Sequence, residues 1–276
     1  MENPQANNLE LVKSLERGAN VTVSIDMIRH PEKNHVTGKL TEEGKKRFFE
    51  QLTTDLGKGE EYDTVKFYVS PLSRGQEAKE PIQEFLEVAN INTAIRNKPE
   101  LYGRFQEING QSFKREMTAI LEEKELLTKQ QIEEIRLRDQ TIAAYEPASK
   151  DFETSANELL ISEFFDKNLP GAEFTGRDHA EVAKSLIDHF AKLAEKLKSG
   201  SKVKLVLVGH SGVIEYLTKY VYLQNHPELK SENVNINDIG GLVDFSEGPE
   251  ITIHSDEKGE QKIKLTFKGL DLVYNK

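Results

Sequence analysis

The strongest constraint on this chain is an alternation. Three short apolar runs, at 21–28, 64–69 and 91–95, are separated by two stretches whose apolar residues recur at helical spacing. Strand, helix, strand, helix, strand in that order favours a parallel sheet with its helices packed on the faces. A fourth run, 202–208, is almost continuously apolar, which suits a central strand covered on both sides. Amphipathic helices are expected to flank it at 178–198 and 213–223. Thr41 stands where an N-cap is needed, with Glu42 and Glu43 in the first turn of a helix that should reach Leu56 and stop at Gly57.

Between 97 and 170 the texture changes. Strand signals fade, 122–139 is dense in charge, and 152–165 is patterned as an amphipathic helix. Strand candidates return in the tail at 241–245, 251–254 and 262–267, with Lys258-Gly259 as a hairpin turn between the last two. Residues 1–20 read as a polar lead-in with a short amphipathic helix at 9–15. The expected fold class is α/β: a doubly wound, mostly parallel sheet with helices on both faces. A single domain over 1–276 carries a helical cap insertion at about 97–175.

Composition enters where it excludes functions. The formal net charge is -10, against a basic surface for nucleic acid. A local cluster of cations can still oppose that global sign and take a small anion. The chain has no cysteine, so disulfides, thiolate catalysis and cysteine-type zinc sites are all excluded. No run approaches the length of a membrane span, and 1–20 lacks the apolar core of a signal peptide. The expectation is a cytoplasmic protein with no membrane or nucleic-acid partner.

Three of the expected strands end in polar punctuation. The first ends in Arg29-His30, the second in Ser70-Pro71-Leu72-Ser73-Arg74, and the central one in Gly209-His210-Ser211-Gly212. Ligands of open α/β sheets bind outside the carboxyl ends of the strands, so these groups should face one spot. Two guanidiniums, two imidazoles and helix N-termini there suit a phosphate. A neutral histidine near pH 7 is also a nucleophile able to accept a phosphoryl group, with the arginines neutralising its charge.

Four motifs now carry a resemblance. Arg29-His30 with Glu32, Leu40-Thr41-x-x-Gly44, Ser70-Pro71-Leu72-x-Arg74 and Val208-Gly209-His210-Ser211-Gly212-Val213 occur in the order seen in the histidine phosphatase superfamily, also called phosphoglycerate-mutase-like. The resemblance spans roughly 21–96 and 176–224 and leaves the insertion and tail uncovered. It implies a phosphatase hydrolysing a small phosphate monoester, with His30 as the nucleophile that becomes phosphohistidine. It implies a phosphate pocket of Arg29, Arg74 and His210, with the Ser211 backbone N–H as a further donor. A carboxylic acid after the third strand would protonate the leaving group. Glu107 is preferred for that role over Glu100. No cofactor or metal is implied, and a homo-oligomer is compatible with the pattern. A phosphomutase, or an inactive phospho-ligand-binding relative, fits the same scaffold.

Three departures from the family stand out. Pro31 replaces the usual glycine after the first histidine, Lys33 stands where a small hydroxyl residue is common, and Gly75-Gln76-Glu77-Ala78 follows the family's pattern loosely. Asn34 is placed to reach a substrate from its loop, although turn chemistry accounts for it equally well. His35, His179, His189, His226 and His254 lack metal-ligand spacing and suit surface or core roles. Gly209-His210-Ser211-Gly212-Val213 also resembles a serine nucleophile elbow, with Asp238 or Asp244 and then His254 completing the order. That reading leaves Arg29, His30 and Arg74 without a task.

Overall fold

The computed structural model describes residues 17–34, 37–56, 62–104, 107–133 and 150–275. The helix expected at 9–15, Gly57, His35 and the charged stretch from 134 to 139 lie outside them. Strand β1 (Thr22–Arg29) is the hub of a seven-stranded sheet. It pairs in parallel with β4 (Lys202–Gly209) on one side and antiparallel with β5 (Glu250–Ser255) on the other. Beyond β4 lie β2 (Thr64–Val69) and then β3 (Ile95–Asn97), both parallel. Beyond β5 come β6 (Gln261–Phe267) and β7 (Leu270–Tyr274), both antiparallel, so the order is β3-β2-β4-β1-β5-β6-β7.

The sheet is thus mixed rather than mostly parallel. The tail strands are joined by tight turns, at 256–260 and 268–269, which can connect only antiparallel neighbours. Strand β7 is an addition to that reading, and in it Leu270, Leu272 and Tyr274 alternate with the exposed Asp271 and Val273 as an edge strand should.

Helices cover both faces. Leu205 and Leu207 of β4 pack with Val23, Ile25 and Met27 against α6 (Gly176–Ala194) and α7 (Val213–Asn225). Val206 and Val208 pack with Ile28, Phe67 and Val69 against α1 (Glu42–Leu56) and α3 (Lys79–Val88). Thr41 caps α1, its Oγ1 accepting the Gly44 N–H at 2.9 Å. Helix α6 starts two residues before the expected Asp178 because Thr175 and Asp178 form a reciprocal capping box.

Some expectations moved. The helix after β2 is broken at Ala78 into α2 (Ser73–Glu77) and α3. Pro81 has no N–H to give to the Glu77 carbonyl, and its ring crowds that carbonyl. The third strand begins at Ile95 rather than 91, because Ile91 gives its N–H to Leu86 in the turn that ends α3. The strand expected at 241–245 is irregular. Its polar backbone groups are claimed by side chains instead: Glu215 accepts the Val243 N–H at 3.0 Å, and Arg29 Nη1 donates to the Val243 carbonyl at 3.0 Å.

The insertion is helical, with α4 (Gly110–Glu123) and α5 (Lys150–Glu163) as its described helices. Met117 and Leu121 of α4 and Phe152, Leu159 and Leu160 of α5 share one apolar cluster with Tyr216 of α7 and with Ile236 and Ile239. Buried Lys219 of α7 ties the cap down further, donating to the carbonyls of Ile161 at 2.7 Å and Val234 at 2.7 Å. The cap therefore sits directly over the carboxyl end of the parallel strands.

Candidate active site

Register builds the site. Arg29 is the partner of Gly209 and Val69 the partner of Val208, so β1, β2 and β4 end in one row. His30 continues that row, giving its N–H to the Gly209 carbonyl at 3.0 Å, and Ser70 gives its N–H to the Val208 carbonyl at 2.9 Å. The next side chains along each strand, His30, Ser70 and His210, are thereby brought together. The ring centroids of His30 and His210 are 5.1 Å apart.

His30 is buried, and its ring has a defined orientation. Nδ1 lies 2.8 Å from the Pro31 carbonyl. A carbonyl can only accept, so Nδ1 carries the proton and Nε2 presents its lone pair. Nε2 is 3.4 Å from Arg74 Nη1. Burial, followed by the nearby His210, Arg74 and Arg29, holds the imidazole well below the ordinary histidine range. His30 is therefore neutral near pH 7, the form a nucleophile needs.

The surrounding groups are fixed in turn. Arg29 lies with its guanidinium carbon 4.2 Å over the Phe245 ring and donates to the Val243 carbonyl. The Val243 segment is held by Glu215, which is buried in the first turn of α7 and also accepts the Gly212 N–H. One buried carboxylate thus shapes both the turn after His210 and the support of Arg29. His210 Nε2 is 3.0 Å from Ser70 Oγ, and Tyr102 packs edge-on to its ring at 5.6 Å. Burial, with Arg74, Arg29 and Lys33 nearby, keeps His210 well below the usual histidine range.

A cavity of about 100 Å³ opens on these groups. The strand ends contribute Arg29, His30, Lys33, Arg74, His210 and Ser211, and α4 adds Lys114. Among the described residues, four cations and no carboxylate line it, the reverse of the chain's net charge of -10. Ser211 Oγ is shielded from solvent and meets no hydrogen-bond partner among the described residues. Among the described residues, no group of three or more His, Cys, Asp or Glu side chains is placed to hold a metal ion.

Two expected site residues are placed elsewhere. Glu107 is exposed and is not part of the cavity wall; its carboxylate is held by Arg104, with Nε to Oε1 at 2.9 Å. Asn34 also stays out of the wall: its Oδ1 accepts the Thr37 N–H at 3.0 Å and closes its own loop. Glu100 is likewise absent from the cavity wall, beside the wall residue Tyr102, but its setting differs from that of Glu107. It lies on a 3-10 turn, Pro99–Leu101, pressed against the end of β4, where a methyl group added at Gly209 would be 3.2 Å from the Leu101 carbonyl. Its Oε2 is shielded from solvent and has no hydrogen-bond partner among the described residues.

The segment bearing Glu100 and Tyr102 is anchored from behind. Gly103 adopts φ +62°, and a Cβ there would be 2.3 Å from His179 Nδ1. Only glycine allows so close an approach. His179 is buried, and its Nδ1 accepts the Arg104 N–H at 3.2 Å. The serine-elbow arrangement is not assembled. His254 pairs with Thr22 Oγ1 at 3.2 Å on β5, and Asp238 caps the turn at Asn235.

Sequence reasoning missed the cap's share of the wall: Phe113, Lys114, Phe152, Asn157 and Leu160. The helical spacing of 152–165 marks Phe152 and Leu160 as an apolar face and says nothing of what that face covers; Phe113 and Lys114 carry no such signal in the reading above. Glu215 was missed as well. An acid three residues past a turn glycine at a helix start was the available signal.

No protein-family model matches the chain, and no curated protein matches it. Solved structures do match, and they are members of the histidine phosphatase superfamily. A mycobacterial glucosyl-3-phosphoglycerate phosphatase with inorganic phosphate is 12% identical, covers 91% of this chain and 96% of its own, and gives a TM-score of 0.44. The protein histidine phosphatase SixA complexed with tungstate is 12% identical, with 91% and 96% covered and a TM-score of 0.37. A phosphoglycerate mutase from Plasmodium falciparum is 12% identical, with 90% and 91% covered and a TM-score of 0.35. At such scores these likenesses add nothing to the site, which stands on its own geometry.

Proposed function

We propose that the chain is a histidine phosphatase that hydrolyses a small phosphate monoester through phosphohistidine on His30. The observation that carries this reading is the imidazole itself. Its Nδ1 is engaged by the Pro31 carbonyl, and its neutral Nε2 is turned toward Arg74 inside a cationic cavity.

In the first step, His30 Nε2 forms a bond to phosphorus as the ester P–O bond breaks. The departing oxygen takes a proton from the carboxylic acid of Glu100, and the alcohol leaves. In the second step, water attacks the phosphorus of phosphohistidine, gives its proton to the Glu100 carboxylate, and the P–N bond breaks to release phosphate. Arg29, Arg74 and His210 stabilise the oxygens of the transferring group through both steps. Glu100 replaces Glu107 in this scheme because its Oε2 is sequestered without a partner, whereas Glu107 is held by Arg104.

Pro31 motivated a non-catalytic alternative, since proline lacks an N–H. The same residue supplies the carbonyl that orients the nucleophile, which favours catalysis. A screen of phosphate monoesters with wild type and His30→Ala tests the reading. Phosphate release by wild type and its loss in His30→Ala are expected. Turnover that survives the substitution would overturn it.

A further inference from the structure

We propose that the substrate is a phosphate monoester whose alcohol carries a compact apolar body, the size of one ring, rather than a polyhydroxylated sugar. The inference rests on the phosphatase reading and extends it to the far wall of the same cavity. The wall opposite the strand ends is built by the cap. There α4 and α5 supply Phe113, Phe152, Ala156 and Leu160, and Leu72 and Tyr102 continue it from the core. A sugar would place several hydroxyls against these carbons, and each hydroxyl buried without a partner loses its hydrogen bonds to water uncompensated. A hydrocarbon ring in the same place would gain by leaving water.

Among the described residues, the cap brings few polar groups to the wall. Asn157 and Lys114 are the polar side chains that α4 and α5 contribute to the wall. Lys114 is only 8% exposed, so its methylene stem is part of the packed surface. Size gives a second limit. At about 100 Å³ the cavity is well below the roughly 300–1,000 Å³ of sites for larger ligands. The alcohol beside the phosphate must therefore be compact.

The test compares 2-phenylethyl phosphate with glucose 6-phosphate. Both leaving groups are primary alcohols, so intrinsic reactivity differs little. Calorimetry on the full-length His30→Ala variant gives binding, and phosphate release by wild type gives turnover. The phenylethyl ester is expected to bind at least about tenfold more tightly. Phe113→Ala should reduce that preference, and Asn157→Leu, which enlarges the apolar wall, should increase it. Equal or tighter binding of the sugar ester would overturn the inference. A preserved binding preference without turnover by wild type would instead contradict the phosphatase reading alone.

Discussion

His30 Nδ1 donates to the carbonyl of its own neighbour, Pro31, at 2.8 Å. The contact is local, yet it decides which ring nitrogen faces Arg74. It also changes the meaning of Pro31. The proline departs from the family's pattern in its N–H, and the interaction that matters at this position uses its carbonyl. Pro31→Ala keeps that carbonyl. Its kcat/KM should stay near that of wild type, while stability falls by about 0.4–1 kcal/mol through the freer unfolded chain. Denaturant titration and steady-state kinetics check the two halves separately.

Arg74 sits 3.4 Å from the reacting nitrogen, where charge on the transferring group develops. Arg74→Met should lower kcat/KM by roughly 10²–10³-fold. Arg74→Lys should recover little of it, because an ammonium cannot reproduce the planar fork. An unchanged kcat/KM in either variant would remove Arg74 from the site.

Glu100 and Glu107 separate cleanly by substitution. Glu100→Gln should lower kcat by roughly 10²–10⁴-fold for alkyl phosphates. The loss should be smaller for p-nitrophenyl phosphate, whose leaving group needs no proton. Glu107→Gln should leave both rates near wild type, since it loses only its contact with Arg104. The reverse pattern would return the acid to Glu107.

Stability should depend on pH through His179. Burial lowers its pKa to about 4 in the folded chain, against about 6.5 for a free imidazole. Between those values the unfolded chain binds more protons than the folded one, so stability rises with pH across the window. The contribution is complete above about pH 6.5 and is lost as pH falls toward 4. The shift corresponds to an order of 3 kcal/mol. His30 and His210, also held low by burial, add to the same slope, so His179→Phe should reduce, not abolish, the slope of unfolding free energy between pH 4 and 6.5, measured by urea titration. The full slope of wild type persisting in the variant would rule His179 out as a source of it.

Much of the site was legible because it lies at strand ends. Arg29-His30, Arg74 and His210 each follow an apolar run directly, and parallel register does the rest. The proposed general acid is harder to read. Glu100 and Glu107 both precede a glycine by a few residues, and the shielding of Glu100 Oε2 and the Arg104 contact of Glu107, both tertiary features, tell them apart. The false strand at 241–245 has a different cause. Its apolar character is real, with Val243 buried, but Glu215 and Arg29 take the hydrogen bonds a neighbouring strand would have used. Phe152 and Leu160 are visible as an apolar face, and which surface they cover depends on a tertiary contact no local pattern contains.

The central claim is the phosphohistidine, and trapping it is the most direct test. The protein would be mixed with a phosphate monoester labelled in the phosphoryl group, quenched in base within the first turnover, and mapped by mass spectrometry. Acid-labile, base-stable label on His30 is the predicted result, absent from His30→Ala and accumulating in wild type before steady state. Label on Ser211 or on another residue, or hydrolysis with no label on His30, would contradict it.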